Sequence, residues 1–369
     1  MKITRVETFI LHVPVTNQRI ADSTHQVTHW GAVGAILRTD TAWAGYGYTG
    51  THGHLATDRL IRDCIGEAFA PLVVGEDPRD AGRLWQKLYH TPSIRWVGRA
   101  GMTQMALSAI EIALWDLKAK AAEMPLWKLL GGDGGKPLEA YNTDGGWLNW
   151  SRQELVDCAR AAVDEGFRGV KLKIGSPNPS DDVDRVAAVR ETIGPAVKLM
   201  VDANGRWDLP TAVRVGRRLD EYDVYWFEEP MWFDDVGSHA ALARAIRTPI
   251  ALGEQQYSLD ALRGFVEAGA VHYVQPDATR IGGVGPWTQA ADLALAHRLP
   301  VVGHAGDMMQ VNQHLSLAHP ACEMLEYIPW LRPCFEEPAT HEGGFMRLPQ
   351  MPGAGTTLRK DAIERFGVG

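Results

Sequence analysis

Two lysines, Lys171 and Lys173, flank Leu172 in the run Val170-Lys171-Leu172-Lys173-Ile174. Apolar and charged residues alternate there with period 2, which marks a strand and turns both amines to one side. Gly169 before the run and Gly175-Ser176-Pro177 after it are breakers that bound the strand. On its own such a strand reads as a sheet edge with a solvated lysine face. The chain downstream argues otherwise. Asp202, Glu228 and Glu254 each close a short apolar run. If those runs are neighbouring strands about 4.8 Å apart, the three carboxylates converge. Like charges that close repel unless a cation neutralises them. An all-oxygen donor set without Cys or His suits a hard divalent ion, Mg2+ rather than Zn2+.

Two further runs end in Asp277 and His304, and an eighth ends in Glu326. A carboxylate accepting from one imidazole nitrogen fixes the tautomer and leaves the other nitrogen to exchange protons. Glu326 can hydrogen-bond a bound carboxylate if it stays protonated. Glu229, next to Glu228, is turned away by alternation and is left out of the donor set. The chemistry these types suit is removal of a proton beside a carboxylate. The product carries two negative charges, which a divalent ion, Lys171 and the Glu326 proton stabilise. Lys173 exchanges a proton on one face and His304 on the other. A cationic neighbour such as Lys171 or the metal is expected to lower the Lys173 pKa.

The elements that must position these groups recur along the chain. Strand ends fall at Asn142, Lys173, Asp202, Glu228, Glu254, Asp277, His304 and Glu326, at intervals of 22 to 31 residues. Each interval holds a strand, a crossover and two loops. Amphipathic spacers are predicted over 154–165, 181–193, 209–222, 238–246, 259–268 and 286–298. Eight parallel strands alternating with helices close into a (β/α)8-type barrel, whose catalytic groups stand at the carboxyl ends of the strands. Residues 1 to about 50 read instead as antiparallel β, followed by helices at 55–73, 80–89 and 103–122. After Tyr327 the pattern stops; the tail, with no strand left to pair in the barrel, is expected to fold back on the N-terminal region.

Composition sets the class. The chain has 369 residues, 45% apolar and 22% charged, enough to bury a large core. A net charge of −8 without a Lys/Arg run argues against nucleic acid or a membrane surface as partner. Cys64, Cys158, Cys322 and Cys334 form no CxxC pair and read as reduced packing residues. The N-terminus starts with strand-like alternation, and no run of 18 apolar residues exists, so the cytoplasm is the expected compartment.

The ordered set Lys171-Leu172-Lys173, Asp202-Ala203-Asn204, Glu228-Glu229-Pro230, Gly253-Glu254, Gln275-Pro276-Asp277 with Arg280-Ile281-Gly282-Gly283, His304 and Glu326 resembles the enolase superfamily, mandelate racemase subgroup. The segment from Ala106 to Lys118 resembles the family's lid helix. The resemblance implies a modified (β/α)7β TIM barrel over residues 135–327. It implies an α+β capping domain built from residues 1–134 and the tail 328–369. It places Asp202, Glu228 and Glu254 on Mg2+, Lys173 and His304 at proton transfer, and Asp277 behind His304. Lys171 and Glu326 fall where the substrate carboxylate is held, and a homo-oligomer is implied. Asn204 and, from the loops, Arg19, His25 and Trp30 are the further residues expected to meet substrate. The loops that carry Arg19, His25, His29, Trp30, Tyr46, His52, Arg95 and Trp96 are polar and suit a ligand with several hydroxyls. The expected reaction is dehydration of a sugar acid, an aldonate or aldarate, to its 2-keto-3-deoxy product. Racemisation or epimerisation of a 2-hydroxy acid is the alternative, and a non-catalytic scaffold the remote one.

Overall fold

The computed structural model describes residues 1–15, 19–304 and 309–369. Alternating apolar residues make β1 (Ile3–Pro14), which pairs antiparallel with β2 (His29–Thr39); β2 pairs in turn with β3 (Ala44–Gly50). α1 (Leu55–Asp63) and α3 (Met102–Ala121) pack on this sheet, and α2 (Ala81–Tyr89) packs on α3. α3 is buried along most of its length. Its alanines allow that: with Ala109 and Ala113 on the inner face, the helix backbone comes close to β3. Only Met105 of α3 reaches the main cavity, so the expected lid helix is chiefly a core helix.

Eight short parallel strands follow: β4 (Glu139–Asn142), β5 (Gly169–Lys173), β6 (Lys198–Asp202), β7 (Trp226–Glu228), β8 (Ile250–Leu252), β9 (Tyr273–Val274), β10 (Val301–Gly303) and β11 (Cys322–Tyr327). They hydrogen-bond in sequence order, and β11 pairs with β4 to close the barrel. Alternate residues point inward. Tyr141, Met200, Trp226, Ala251, Val302 and Met324 plug the centre. The intervening residues face the helices and form a larger core, with Val170, Leu172 and Val201 among them. A closed barrel leaves no exposed edge.

Helices α4 (Arg152–Asp164), α5 (Pro179–Ile193), α6 (Leu209–Leu219), α7 (Val236–Ala245), α8 (Leu259–Glu267) and α9 (Val284–Ala296) lie where spacers are predicted. The first five start on side-chain caps from Ser151, Asn178, Asp208, Asp235 and Ser258. Such caps satisfy amide donors that the first turn leaves free. α9 starts at Gly283, which has no side chain to offer. Its amides are taken by Glu111 of α3 instead: Oε2 accepts from Val284 N at 2.6 Å and Oε1 from Gly285 N at 3.1 Å. One more helix, α10 (Met309–Ala318), precedes β11 and is absent from the sequence expectation.

The tail departs from expectation at one point. A hairpin, β12 (His341–Glu342) and β13 (Phe345–Met346), adds antiparallel to β4, with Phe345 opposite Glu139. A strand was therefore left to pair. Beyond it the chain does return to the N-terminal sheet, where Val368 N donates to Ile10 O at 3.0 Å. The four cysteines are free, and no helix among the described residues is long and apolar enough to cross a membrane.

Candidate active site

The register of the strands brings the charged ends together. Lys173 lies opposite Asp202, and Asp202 opposite Glu228. Asp202, Glu228 and Glu254 are buried, and one carboxylate oxygen from each lies within 4.8 Å of the others. Each acid is held by a different cationic group. Lys173 Nζ donates to Asp202 Oδ2 at 2.5 Å and Lys171 Nζ to Glu228 Oε1 at 2.6 Å. His304 Nε2 lies 2.9 Å from Glu254 Oε2. Lys173 thus reaches the Asp202 end of the acid cluster and His304 the Glu254 end. Burial, opposed by Lys171 and aided by Asp202, lifts the Glu228 carboxyl to about 7. Three buried oxygen donors this close fit a hard divalent cation. Glu229 stays out: its backbone is left-handed, with φ at 39°, and burial raises its carboxyl well above the usual range.

The partners of each group follow from the neighbouring strands. Trp226 Nε1 and Gln275 Nε2 both donate to Glu228 Oε2, at 2.9 and 2.8 Å. Asn204, at φ 46°, donates from its backbone and its Nδ2 to Asp202. Its Oδ1 is buried without a hydrogen-bond partner among the described residues, and the residue lines the cavity. Asp277 Oδ2 takes His304 Nδ1 at 2.8 Å, while Thr279 and Asn312 hold Oδ1. Burial disfavours a charged His304, but Glu254 and Asp277 outweigh it and hold the imidazole well above its usual pKa.

Burial pushes the Lys173 ammonium down, and so does Lys171, as expected, but Asp202, with Glu254 and Asp22, outweighs them and raises it on balance. Glu326 departs from the expectation of a protonated carboxyl: burial pushes it up, but Lys171 at 2.8 Å and the nearby His304 bring it down to about 2. It also accepts from Thr143 Oγ1 at 2.8 Å.

These groups open into a cavity of about 220 Å3. Below the roughly 300–1,000 Å3 of drug-sized pockets, this suits a small metabolite. Lys173, Asn204, Glu254, His304 and Glu326 line it; Lys171, Asp202 and Glu228 lie beneath. From the loops His25 and His52 reach it, and so does Trp30, which stands in β2 and not in the expected loop; its Nε1 has no partner among the described residues. Arg19 is exposed and does not line it, nor do His29, Tyr46, Arg95 or Trp96. Sequence reasoning missed Asp22 and Tyr257 and quoted Arg280 only as part of a motif; all three line it. Asp22-Ser23-Thr24, a turn-forming triplet beside a short strand, carried a local signal.

Comparison with known proteins agrees with this architecture. Residues 154–362 match the "Enolase C-terminal domain-like" family, and residues 5–131 match "Mandelate racemase / muconate lactonizing enzyme, N-terminal domain". The chain is 36% identical to L-talarate/galactarate dehydratase of Salmonella typhimurium, over 95% of this chain and 87% of that protein. It is 33% identical to 3,6-anhydro-alpha-L-galactonate cycloisomerase of Streptomyces coelicolor, over the full length of both. Against arabinonate dehydratase of Saccharolobus solfataricus the identity is 32%, over 90% of each. A crystal structure of the Salmonella dehydratase, liganded with Mg and L-lyxarohydroxamate, superposes with a TM-score of 0.91 at 35% identity, covering 100% of this chain and 93% of that one. Sequence, barrel and buried acid cluster together make this chain an enzyme of the enolase superfamily, in its mandelate racemase subgroup.

Proposed function

We propose that the protein is a Mg2+-dependent dehydratase of a sugar acid, converting an aldonate or aldarate to its 2-keto-3-deoxy acid. The observation that carries this reading is the buried Asp202–Glu228–Glu254 cluster with a lysine at one end and an Asp-backed histidine at the other. When bound by those three acids, Mg2+ supplies positive charge beside the substrate carboxylate. Lys171, fully buried among acids, adds a fixed positive charge below it. Neutralising Asp202 removes the pull that keeps Lys173 charged, and burial with Lys171 nearby then favours the free amine. That amine takes the proton from the carbon next to the carboxylate. The electron pair moves to the neighbouring carbon–carbon bond as the β-hydroxyl departs. His304, held by Asp277, gives its Nε2 proton to that hydroxyl, which leaves as water. The resulting enol tautomerises to the 2-keto acid.

The names of the two dehydratase relatives support the substrate class, and the polar cavity supports a polyhydroxylated ligand. A library of sugar acids incubated with Mg2+, with semicarbazide trapping of keto product, tests the reading. Keto product from at least one acid is expected. Exchange of the α-proton in D2O without keto product would replace it with racemisation or epimerisation. Homo-oligomerisation is part of the same proposal, and light scattering of the purified chain at one protomer mass would remove it.

A further inference from the structure

His304 and Arg280 share the same two acids. His304 Nε2 lies 2.9 Å from Glu254 Oε2, and its Nδ1 lies 2.8 Å from Asp277 Oδ2. Arg280 Nη1 lies 3.3 Å from Glu254 Oε1, and its Nε lies 3.8 Å from Asp277 Oδ2. The four side chains are buried and close a ring in which acids and nitrogen bases alternate. Glu254, Asp277 and His304 follow β8, β9 and β10. Arg280 stands three residues beyond Asp277, in the turn that leads to α9.

That turn is held from outside the barrel. Thr49 Oγ1, on β3, donates to Thr279 O at 2.8 Å, and Gln104 Nε2, on α3, donates to Ile281 O at 3.0 Å. These are the carbonyls on either side of Arg280. Trp85 Nε1 of α2 donates to Gly282 O at 3.0 Å, and Ser108 Oγ accepts from Gly282 N at 2.9 Å. Three elements of the N-terminal region thus fix the backbone that carries Arg280, while Arg280 itself lines the cavity. The same turn sets the Asp277 carboxylate: Thr279 N and Thr279 Oγ1 both donate to Asp277 Oδ1 at 2.8 Å.

We propose, resting on the dehydratase reading, that Arg280 is a positioning residue for the His304–Asp277 pair, and that the N-terminal region seats it through Thr49 and Gln104. A planar guanidinium can face two carboxylates at once, whereas a lysine ammonium is a point charge. Arg280 thus fixes Glu254 and Asp277 relative to each other, and with them the imidazole that touches both. A guanidinium stays charged throughout, so the two acids keep this partner when His304 gives up its proton. Lys173 pairs with Asp202 and stands outside the ring. Arg280 therefore bears on protonation of the leaving hydroxyl and not on removal of the α-proton.

The test compares formation of keto product with exchange of the α-proton in D2O, on the Mg2+-loaded wild type, Arg280→Lys and Thr49→Val, using a sugar acid that the wild type dehydrates. Arg280→Lys keeps the charge and loses the fork. Its product-to-exchange ratio is expected to fall by about tenfold or more, as a misplaced reacting group costs, with Mg2+ affinity by calorimetry unchanged. Thr49→Val keeps the shape and removes the donor. It is expected to lower the ratio by a smaller factor, and no further once Arg280 is replaced. Product and exchange falling together in Arg280→Lys, or Mg2+ binding lost in step with product, would overturn the proposal, since Arg280 would then hold the substrate or the metal site. Effects of the two substitutions that simply multiply would overturn the seating by the N-terminal region. Should Arg280→Lys not fold, Thr49→Val decides by the same ratio, and an unmoved ratio overturns the proposal. Wild-type exchange without product replaces the dehydratase reading and leaves this one testable: exchange lost only for the epimer whose α-proton faces His304 keeps it, and equal loss for both epimers overturns it. Neither product nor exchange with any acid removes both.

Discussion

Glu254 and His304 share one contact, 2.9 Å between Oε2 and Nε2, and yet have separable duties. Glu254→Gln removes one of three anionic donors while keeping the side chain's shape. Calorimetry is expected to show Mg2+ affinity reduced by at least about tenfold, since even indirect partners of a metal site cost that much; undiminished binding would take Glu254 out of the donor set. His304→Asn leaves all three acids in place. Keto product is expected to fall by about 10^2–10^4, the range for losing a proton donor. Exchange of the α-proton with D2O is expected to persist, because Lys173 stands at the other end of the cluster. Exchange lost together with product would make His304 the abstracting base. These residues were legible in the sequence because each stands at a strand end, where period and breakers are visible. The cavity position of Asp22 was not, since the turn that carries it is seated through Ser23 Oγ on Ala203 O, 180 residues further along the chain.

Elements differ in how they are stabilised, and α9 is the exception among the six barrel helices α4 to α9. Its first amides rest on Glu111 of α3, so the docking of the N-terminal helix also terminates a barrel helix. Ser108 Oγ accepts from Gly282 N at 2.9 Å, and Gln104 Nε2 donates to Ile281 O at 3.0 Å, along the same face of α3. The segment so gripped is Ile281 to Gly285, and it directly follows Arg280, which lines the cavity. Gly283→Ala is expected to be costly. At φ 106° a Cβ is strained, and the new methyl would collide with the Glu111 carboxylate. A loss of about 1–3 kcal/mol in denaturant unfolding is expected; unchanged stability would mean that α3 and α9 are not rigidly docked. Six barrel helices were legible from apolar periodicity, whereas α10 was not. Gln310, Asn312, Gln313, His314 and Ser316 are polar and buried there. A helix wrapped on every side has no apolar stripe to read.

At the scale of the molecule, α10 ties the barrel to what precedes and follows it. His314 Nδ1 accepts from Trp127 N at 3.1 Å, and Gln310 bonds the backbone of Glu337 and Gly355 in the tail. Burial holds His314 down to about 3, against an ordinary 6.5. The unfolded chain binds this proton more readily, so the neutral ring's stabilisation is complete above pH 6.5 and lost as pH falls toward 3. Every tenfold loss of proton affinity on folding corresponds to about 1.4 kcal/mol. His314→Gln keeps an acceptor for Trp127 N and is expected to flatten the decline of unfolding free energy between pH 6.5 and 4. A variant with the same slope as wild type would show that other groups set the acid limb.

The eight strand ends, their order and the identity of the acids, amines and imidazole were decided by the sequence. Period, breakers and length are local properties, and a barrel turns strand order into spatial order. The folded structure alone decided which charges meet. Each of Lys171, Lys173 and His304 lies against a carboxylate from another strand, which raises Lys173 and lowers Glu326. It also decided the hairpin of the tail on β4, the capping of α9 by Glu111 and the station of Asp22 over the cavity. Those depend on contacts between residues tens to hundreds of positions apart, which no local pattern in the chain encodes.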